Sequence, residues 1–419
     1  MKFRDLQSNI KIRLYTDFIT DLSQMAIFPF MAIYFSSQVG QGIAGLLLTL
    51  NVICSILAGL YAGYLSDRLG RKKVMIFALI IQIGALTIMA LANSPWFLSV
   101  WVTYFMFLIS NVSSSVINPA ASAMIIDSST EKERPYIYSL QYWSGNIAIS
   151  IGAVLGGLFF ESGRFILFCM FALVSIVTLL IIIFLIDESM KEIHAHEENN
   201  KPSFSKSIFT NYLNVIKDSK FMFFVMGTVF VLSLEFQLDK YIAVRLKEEF
   251  HASLFGFEIT GIKMFSLIIL INTVFVVVAT LHLSKWLSKF SHKLILTIGL
   301  VIYSLSFSAL AVSNSFFILV GAAVLFTLGE LMYSPIKQTI LAGMIPDHAR
   351  ASYMAVDSLS FNAAMLLGSL GLTIGAVLPS SGMAVLYLIL GFVGLFCFRS
   401  GMKHKKTTEY QPVANESHL

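Results

Sequence analysis

The fold is decided by thirteen residues that join two long apolar segments, Gly63-Tyr64-Leu65-Ser66-Asp67-Arg68-Leu69-Gly70-Arg71-Lys72-Lys73-Val74-Met75. Asp67 lies near the predicted C-terminal end of a helix, where a negative charge opposes the helix dipole. It therefore needs a partner, and Arg71 follows four residues later. Gly63 allows a neighbouring helix to approach closely, and Gly70 suits a tight turn. The basic residues Arg68, Lys72 and Lys73 place this loop on the cytoplasmic side of a membrane.

The composition describes a chain that crosses a membrane many times. Of its 419 residues, 57% are hydrophobic and only 13% are charged, and the mean hydropathy is +0.78. A soluble domain does not bury that much apolar sequence. About twelve windows are long enough to span a bilayer, near 13–37, 42–66, 74–93, 96–125, 136–160, 164–186, 221–249, 254–284, 293–312, 315–344, 350–378 and 381–399.

The lysine and arginine residues predict the orientation. They lie in the N-terminal segment, in alternate loops, in the central loop and in the tail, whereas the opposite loops near 37–41, 93–95, 313–315 and 379–382 carry no charge. Basic loops remain on the cytoplasmic side. We therefore expect an uncleaved first helix, both termini in the cytoplasm, and a multi-pass protein in the plasma membrane of a bacterium.

The chain divides into two similar halves. The only long polar interruption predicts an N-terminal six-helix half at 1–187, a cytoplasmic loop at 188–219, a C-terminal six-helix half at 220–400 and a cytoplasmic tail at 401–419. An offset of 216 residues places Pro119 on Pro335 and Arg134 on Arg350. Two parallel repeats with a binding site between them are a common transporter architecture. The motif around Asp67 is not repeated in the second half.

Charged residues inside the apolar windows are candidates for a transport pathway. An ionisable group at the bilayer centre costs about 2.5–3.5 kcal/mol on insertion scales, so it marks a cavity or a pathway. The acids concerned are Asp17, Asp21, Glu235, Asp239, Glu330 and Asp357. Windows 3, 6, 9 and 12 contain no charge in their interiors. The charges are therefore confined to a subset of the helices.

Glu330 is the strongest of these candidates. It lies in mid-window with no opposite charge within one turn, which suits a group that binds and releases protons. The alternative is an inert acid paired to Lys263 or Lys337. An ion pair between Glu258 and Lys263, near the outer end of the eighth helix, is expected to close an outer gate.

The other acids have closer neighbours. Asp239 lies one turn from Glu235 and beside Lys240, so a proton or cation site competes there with a plain ion pair. Asp17 and Asp21 lie on one helix face. They either attract cations or pair with Arg13, and for Asp17 the pairing is favoured.

Aromatic and small residues suggest a cavity and a bending helix. Gln141, Tyr142, Trp143 and Tyr333 are cavity candidates, because aromatic rings stack on flat molecules and cations; ordinary packing is the alternative. Gly152, Gly156 and Gly157 in the fifth helix are similar to the antiporter signature G-P-x-x-G-G, with Ala153 in place of the proline. Close helix packing explains these glycines equally well.

Several classes of chemistry have no support in the sequence. There is no phosphate-binding loop, no nucleophile–base pattern and no metal-ligand cluster, so we expect neither an enzyme nor a nucleic-acid partner. His194-Ala195-His196-Glu197-Glu198 is interpreted as part of a solvated loop. The three cysteines fall in separate windows and are expected to be buried packing residues without disulfides. No cofactor is expected beyond protons as the coupling ion.

The loop at 63–75 resembles the G-x-L-x-D-R-x-G-R-K pattern of the major facilitator superfamily, at the position between the second and third helices where that family carries it. Over nearly its whole length the chain resembles the proton-coupled multidrug exporters of the LmrP type. Matching stretches are Ala123-Met124-Ile125-Ile126-Asp127, Tyr138–Trp143, Gly256-Phe257-Glu258-Ile259 and Thr327-Leu328-Gly329-Glu330. The resemblance implies an all-α fold of twelve membrane helices in two pseudo-symmetric halves.

The resemblance also implies roles for particular residues. Asp67 and Asp127 would form a charge relay at the cytoplasmic gate, and Glu330 and Asp239 would serve proton coupling and cation recognition. One departure is Gln141, where such exporters have an acid. The offset of 216 places Asp357 on Gln141, so this role is a candidate for relocation to the second half.

The sequence thus predicts a monomeric secondary transporter in membrane lipid that exports amphiphilic, often cationic compounds in exchange for protons. Alternatives are a proton-coupled importer of a nutrient or peptide on the same fold, and a lipid-moving or receptor-like relative.

Overall fold

The protein is almost entirely helical. The computed structural model describes residues 3–130, 132–189, 215–254, 256–287, 289–346 and 350–402. Within these ranges, twelve helical segments are long and apolar enough to cross a membrane, which confirms the predicted number. We number them spans 1 to 12 in chain order.

The first six spans consist of the helices Ser8–Met25 and Met31–Val39 (span 1), Gln41–Leu69 (span 2), Arg71–Leu91 (span 3), Val100–Asp127 (span 4), Arg134–Phe159 (span 5) and Arg164–Leu185 (span 6). The last six consist of Ser219–Glu235 and Ala243–Glu249 (span 7), Gly261–Leu287 (span 8), His292–Val312 (span 9), Phe316–Met344 (span 10), Arg350–Gly375 (span 11) and Ser380–Gly401 (span 12). Short 3₁₀ turns occur at Phe3–Asp5 and Phe28–Phe30, and a π-helical turn occurs at Leu238–Ile242.

Two small hairpins connect spans at the same end of the bundle. Strands β1 (Asn93–Ser94) and β2 (Phe97–Leu98) join spans 3 and 4, and β3 (His251–Leu254) and β4 (Phe257–Thr260) join spans 7 and 8. The second hairpin turns at Gly256, whose φ of +82° favours glycine. Its strands pair His251 with Thr260 and Leu254 with Phe257.

This second hairpin corrects two sequence predictions. The eighth membrane helix begins at Gly261 and not near residue 254, because strand pairing satisfies the backbone of the apolar run before it. Glu258 therefore lies on β4, and the Lys263 ammonium donates to the Glu258 backbone carbonyl at 3.1 Å. The predicted ion pair between these two side chains is wrong for this conformation.

Local sequence explains how several spans begin and end. Gly70 separates spans 2 and 3 with a φ of +96°, as predicted for a tight turn. The Ser99 side chain accepts the Val102 backbone N–H at the start of span 4, and Asp218 accepts that of Phe221 at the start of span 7.

The repeated prolines also lie where the repeat predicts. Pro119 lies inside span 4 and Pro335 inside span 10. Each removes one backbone donor from its helix and favours a bend there. The two halves therefore share an interruption at equivalent positions.

The two halves meet at the end of the bundle that carries the hairpins. Gly45 of span 2 packs against Thr373 of span 11, and Gly157 of span 5 packs against Ser266 of span 8. Lys247 and Glu161 form an ion pair between the halves at 3.4 Å. We name this the hairpin end, and we name the other end, which carries Arg68, Arg71 and Lys72, the basic end.

Free space lies beside Gly63 at the basic end. A Cβ atom placed on Gly63 would meet no atom within 4 Å. The expectation that Gly63 admits a closely packed helix is therefore wrong for this conformation. The three cysteines are free thiols that differ in exposure. Cys397 is buried as expected, whereas Cys169 is exposed and Cys54 is partly exposed, so the expectation of burial is wrong for these two.

Candidate functional site

Two glutamates lie at mid-depth in the C-terminal half, near enough for their charges to interact. Glu235 is the last residue of the first helix of span 7, and Glu330 lies halfway along span 10. Their side chains interact electrostatically with each other. Tyr142 of span 5, in the other half, also interacts with Glu330, so the pair faces the opening between the halves.

The two glutamates differ in their surroundings. Glu235 is exposed, and no hydrogen bond or ion pair to its side chain is found within the described ranges. Glu330 is only partly exposed, and Asn272 of span 8 donates its amide to the Glu330 carboxylate at 2.9 Å. The hydrogen-bond partner of Glu330 is therefore Asn272, and not Lys263 or Lys337. In this conformation Glu235 is the more accessible carboxylate.

Asn272 was missed by the sequence analysis. Its amide also donates to the Thr327 hydroxyl at 3.2 Å, one turn before Glu330. The signal was a lone amide in the apolar run Leu270-Ile271-Asn272-Thr273. Such a residue in a membrane helix usually has a polar partner on another helix.

Asp239 and Lys240 lie in the π-helical turn that interrupts span 7. Such wide turns are frequent at functional sites. The two side chains form an ion pair, so of the two readings left open for Asp239 the ion pair is present in this conformation. Asp239 still interacts electrostatically with Glu235, one turn away.

Lys337 and Asp357 lie nearer the basic end of the same half. Lys337 follows Glu330 by seven residues on span 10, and it interacts electrostatically with both Asp357 and Glu235. One carboxylate oxygen of Asp357 is buried without a hydrogen-bond partner. Lys337 therefore lies near two acids, and no close ion pair to it is found among the described residues.

The aromatic cavity candidates have different environments. Tyr142 and Trp143 are 59% and 57% exposed on span 5, as a cavity lining requires. Tyr333 is only 2% exposed, and its ring packs on that of Tyr303 with centroids 5.3 Å apart. The prediction that Tyr333 lines the cavity is wrong for this conformation, since the crossing of spans 9 and 10 at Gly299 and Gly329 buries it.

The acids of span 1 are largely satisfied within their own half. Asp17 forms an ion pair with Arg13, as favoured from the i,i+4 spacing. Gln141 of span 5 lies close enough to Asp17 for the two side chains to interact. Asp21 lies close enough to Asp17 for the two charges to interact. Gln141 thus contacts an acid of span 1 and is not an isolated cavity residue.

The motif residues form what we name the basic-end cluster: Asp67, Arg71, Asp127, Ser66 and Glu188. Arg71 forms an ion pair with Asp67, and its Nε lies 3.3 Å from Asp127 Oδ2. It also donates to the Ser66 hydroxyl at 3.0 Å. One guanidinium therefore joins the ends of spans 2, 3 and 4.

Glu188, which follows span 6, was also missed by the sequence analysis. Its carboxylate accepts the backbone N–H groups of Arg71 at 3.0 Å and Lys72 at 3.1 Å. An acid at a helix N-terminus satisfies free donors and opposes the positive end of the dipole. The Lys72 ammonium donates to the Ile183 carbonyl at 2.9 Å, so span 6 holds the loop at two points. Arg68 instead points to the Tyr64 hydroxyl at 2.7 Å.

The glycines of span 5 serve close packing. A Cβ atom on Gly152 would collide with Leu22 and Met25 of span 1, and one on Gly156 with Phe30. Gly157 faces Ser266 of the other half. These contacts support the packing interpretation of the three glycines, and they place Gly157 at the interface that closes the hairpin end.

No cluster of ligands that would suit a metal ion is found among the described residues. The tract His194–Glu198, interpreted above as a solvated loop, lies outside the described ranges.

Sequence comparisons agree with this architecture. The chain matches the Major Facilitator Superfamily over residues 16–272 and 241–411. It is 30% identical over 402 residues to a Na(+), Li(+), K(+)/H(+) antiporter of Planococcus maritimus, which covers 93% of this chain and 94% of the relative. It is 25% identical to the multidrug resistance protein MdtH of Photorhabdus laumondii, over 91% of this chain and 90% of that protein.

Solved structures of low sequence identity share the fold. A POT family transporter in complex with 5-aminolevulinic acid has a TM-score of 0.70 at 15% identity, covering 95% of this chain and 98% of that one. The nucleoside transporter NupG has a TM-score of 0.69 at 16% identity, covering 95% and 100%. Such likeness shows the fold alone.

The relatives are bacterial membrane transporters and not enzymes. With twelve spans in two halves, a basic loop after span 2 and these matches along nearly its whole length, the chain belongs to the Major Facilitator Superfamily of membrane transporters.

Proposed function

We propose that this protein exports a cationic substrate from the cytoplasm in exchange for protons, with its basic end on the cytoplasmic side. The observation that carries the proposal is the pair Glu235 and Glu330, which interact at mid-depth and face the opening between the halves. The uneven distribution of basic loops supports the orientation.

The chemistry of the pair favours exchange. Two neighbouring carboxylates inside the membrane span repel each other, so a proton or a cation bound at the pair stabilises it. A proton and a cationic substrate therefore compete for the same negative charge. Binding one displaces the other, which is the elementary requirement for antiport. Asp239 is paired to Lys240 and belongs to the surroundings of this site.

The first candidate substrates are amphiphilic organic cations. Tyr142 and Trp143 present exposed rings on span 5, and Tyr142 interacts with Glu330. Aromatic faces attract desolvated cations by about 2 kcal/mol. The MdtH relatives are named multidrug resistance proteins, and the LmrP-like motifs point the same way.

A second candidate is exchange of alkali cations for protons. It is favoured by the relative of 30% identity that is named a Na(+), Li(+), K(+)/H(+) antiporter. Carboxylate and amide oxygens are hard ligands, and Glu235, Glu330 and Asn272 supply both kinds close together.

The basic-end cluster is proposed as a gate and not as a substrate site. Arg71 forms ion pairs with both Asp67 and Asp127, so these two acids already have a cationic partner within the protein. Gly63 lies near it and has free space beside it. When the basic end closes, that space would admit a helix of the other half.

Everted membrane vesicles from a host lacking its own pumps test the proposal. An acridine dye reports the proton gradient, and ethidium, KCl or NaCl is added in turn to release it. We expect the wild type to release the gradient with at least one probe, and Glu235→Gln and Glu330→Gln to abolish that release, because each removes the exchanging charge. Glu133→Gln, at an exposed acid before span 5, is the control.

Unchanged release in both variants, at normal membrane levels, would contradict the proposal. Ethidium accumulation rather than exclusion in intact cells would favour the importer. Response to KCl or NaCl alone would select the second candidate.

A further inference from the structure

Asn272 is the side chain that ties Glu330 to a neighbouring span. Its amide nitrogen lies 2.9 Å from Glu330 Oε2 and 3.2 Å from Thr327 Oγ1, and the Thr327 hydroxyl in turn donates to the Ala323 carbonyl at 2.7 Å. Thr327 therefore uses its hydrogen on its own helix, and it accepts from Asn272. This arrangement fixes which atom of Asn272 faces the carboxylate, namely the N–H donor.

The groups around Glu330 otherwise provide little positive charge. Glu235 faces it from span 7, Tyr142 from span 5 and Tyr333 from its own span, and the Tyr303 ring of span 9 lies beside Tyr333. Lys337 interacts with Glu235 and Asp357. Among the described residues, Asn272 is the hydrogen-bond donor to the Glu330 carboxylate.

We propose that Asn272 is a positioning residue that sets the pH at which Glu330 exchanges its proton. A neutral N–H donor stabilises a carboxylate without neutralising it, so Glu330 stays able to bind a proton or a cation. Glu235, without such a donor, remains the accessible partner. The inference rests on the proposed function, and it assigns unequal tasks to the two acids.

The test is the pH profile of proton–cation exchange in the everted vesicles, with the probe to which the wild type responds. Asn272→Leu and Asn272→Ala remove the donor. Loss of one hydrogen bond to a charged group is expected to move the half-maximal pH upward by about one pH unit. Asn272→Gln, which keeps an amide donor, is expected to restore part of the shift.

Asn111→Leu is the matched control. Asn111 lies inside span 4 and donates its amide to its own helix, at the Phe107 carbonyl, 2.9 Å away. We expect its pH profile to match the wild type. Two substitutions at Asn272 are used so that if one fails to reach the membrane, the other decides the outcome.

An unmoved profile in the Asn272 variants, or an equal shift in Asn111→Leu, would overturn the inference. Glu330→Gln is measured in parallel. If it retains full exchange, the proposed function fails, whereas lost exchange in Glu330→Gln with unmoved Asn272 profiles removes only the role of Asn272.

Discussion

The mid-membrane glutamates and the basic-end cluster both contain acids, and they differ in whether a guanidinium is bound to those acids. In the basic-end cluster, one guanidinium contacts both acids, Asp67 and Asp127. In the middle of the C-terminal half, Glu235 and Glu330 face each other, and the donor to Glu330 is a neutral amide. Acids bound to a fixed guanidinium hold helices together, whereas acids without a bound cationic side chain can bind a mobile cation.

The position that corresponds to Glu330 in the N-terminal half does not carry an acid. An offset of 216 residues places Glu330 on Ser114 of span 4, whose hydroxyl accepts from the buried Gln82 amide at 2.9 Å. The N-terminal half thus has a neutral hydrogen bond where the C-terminal half has a carboxylate. We infer that proton exchange belongs to one half, and the motif-based gate to the other.

The contact between Gly157 and Ser266 joins the two halves at the hairpin end, and disrupting it has the largest expected effect of the three substitutions considered below. In Gly157→Leu the side chain collides with Ser266, so the hairpin end cannot close. Overpacking costs about 1–3 kcal/mol, enough for roughly a tenfold shift toward a state closed at the basic end. Maleimide labelling of Gly63→Cys, in a background without the native cysteines, should slow about tenfold.

Gly145→Leu is the control for this measurement, because a Cβ atom at Gly145 meets nothing within 4 Å. Labelling that stays fast in Gly157→Leu, or slows equally in Gly145→Leu, would contradict the expected coupling between closure of the hairpin end and access to the basic end.

Arg71→Ala is expected to have the next largest effect. It removes the guanidinium that pairs with both Asp67 and Asp127, so the ends of spans 2, 3 and 4 lose the ion pairs that join them. We expect the exchange rate to fall about tenfold, equivalent to about 1.4 kcal/mol in the barrier. The half-maximal pH should not move, because the exchanging carboxylates are elsewhere.

Arg68→Ala serves as its control, since Arg68 contacts Tyr64 and neither acid. An equal loss of rate in Arg68→Ala would indicate a general effect of charge, and a moved pH profile in Arg71→Ala would remove the distinction between gate and exchange site.

Glu188→Gln is expected to have the smallest effect. Only one of its two side-chain atoms then accepts a backbone N–H at the start of span 3, and the negative charge is lost. Such caps contribute about 1 kcal/mol, so the Tm in detergent should fall by about 2 °C. The exchange rate should change less than about twofold.

Asp187→Asn is the matched control, because Asp187 uses its backbone, and not its carboxylate, to bind Asn9. A decrease in Tm of the same size there would show that loop charge, and not the helix cap, is responsible.

Local spacing predicted part of the site. The pairs Asp67–Arg71 and Arg13–Asp17 follow from their i,i+4 separation on a helix, and both are present. Gly70 at a positive φ follows from its position between two helices. These features depend only on neighbouring residues, which is why periodicity and spacing were enough.

Long-range contacts could not be predicted in the same way. Asn272 and Glu330 are 58 positions apart, and Glu188 and Arg71 are 117 positions apart. The sequence predicts that Tyr333 lines the cavity, whereas the packing of spans 9 and 10 buries its side chain. The hydrophobic periodicity of a helix does not indicate which neighbouring helix packs against each of its faces.

The sequence by itself determined the twelve spans, the basic loop, the two-fold repeat and the set of membrane acids, because apolar length, charge and local spacing are properties of the chain. The tertiary structure alone decided that Arg71 also reaches Asp127 on span 4, that Glu330 has an amide donor on span 8, and that Tyr333 is buried. The physical reason is that spacing along the chain sets which partners lie on the same helix, whereas packing sets which side chains of other helices a charged group meets.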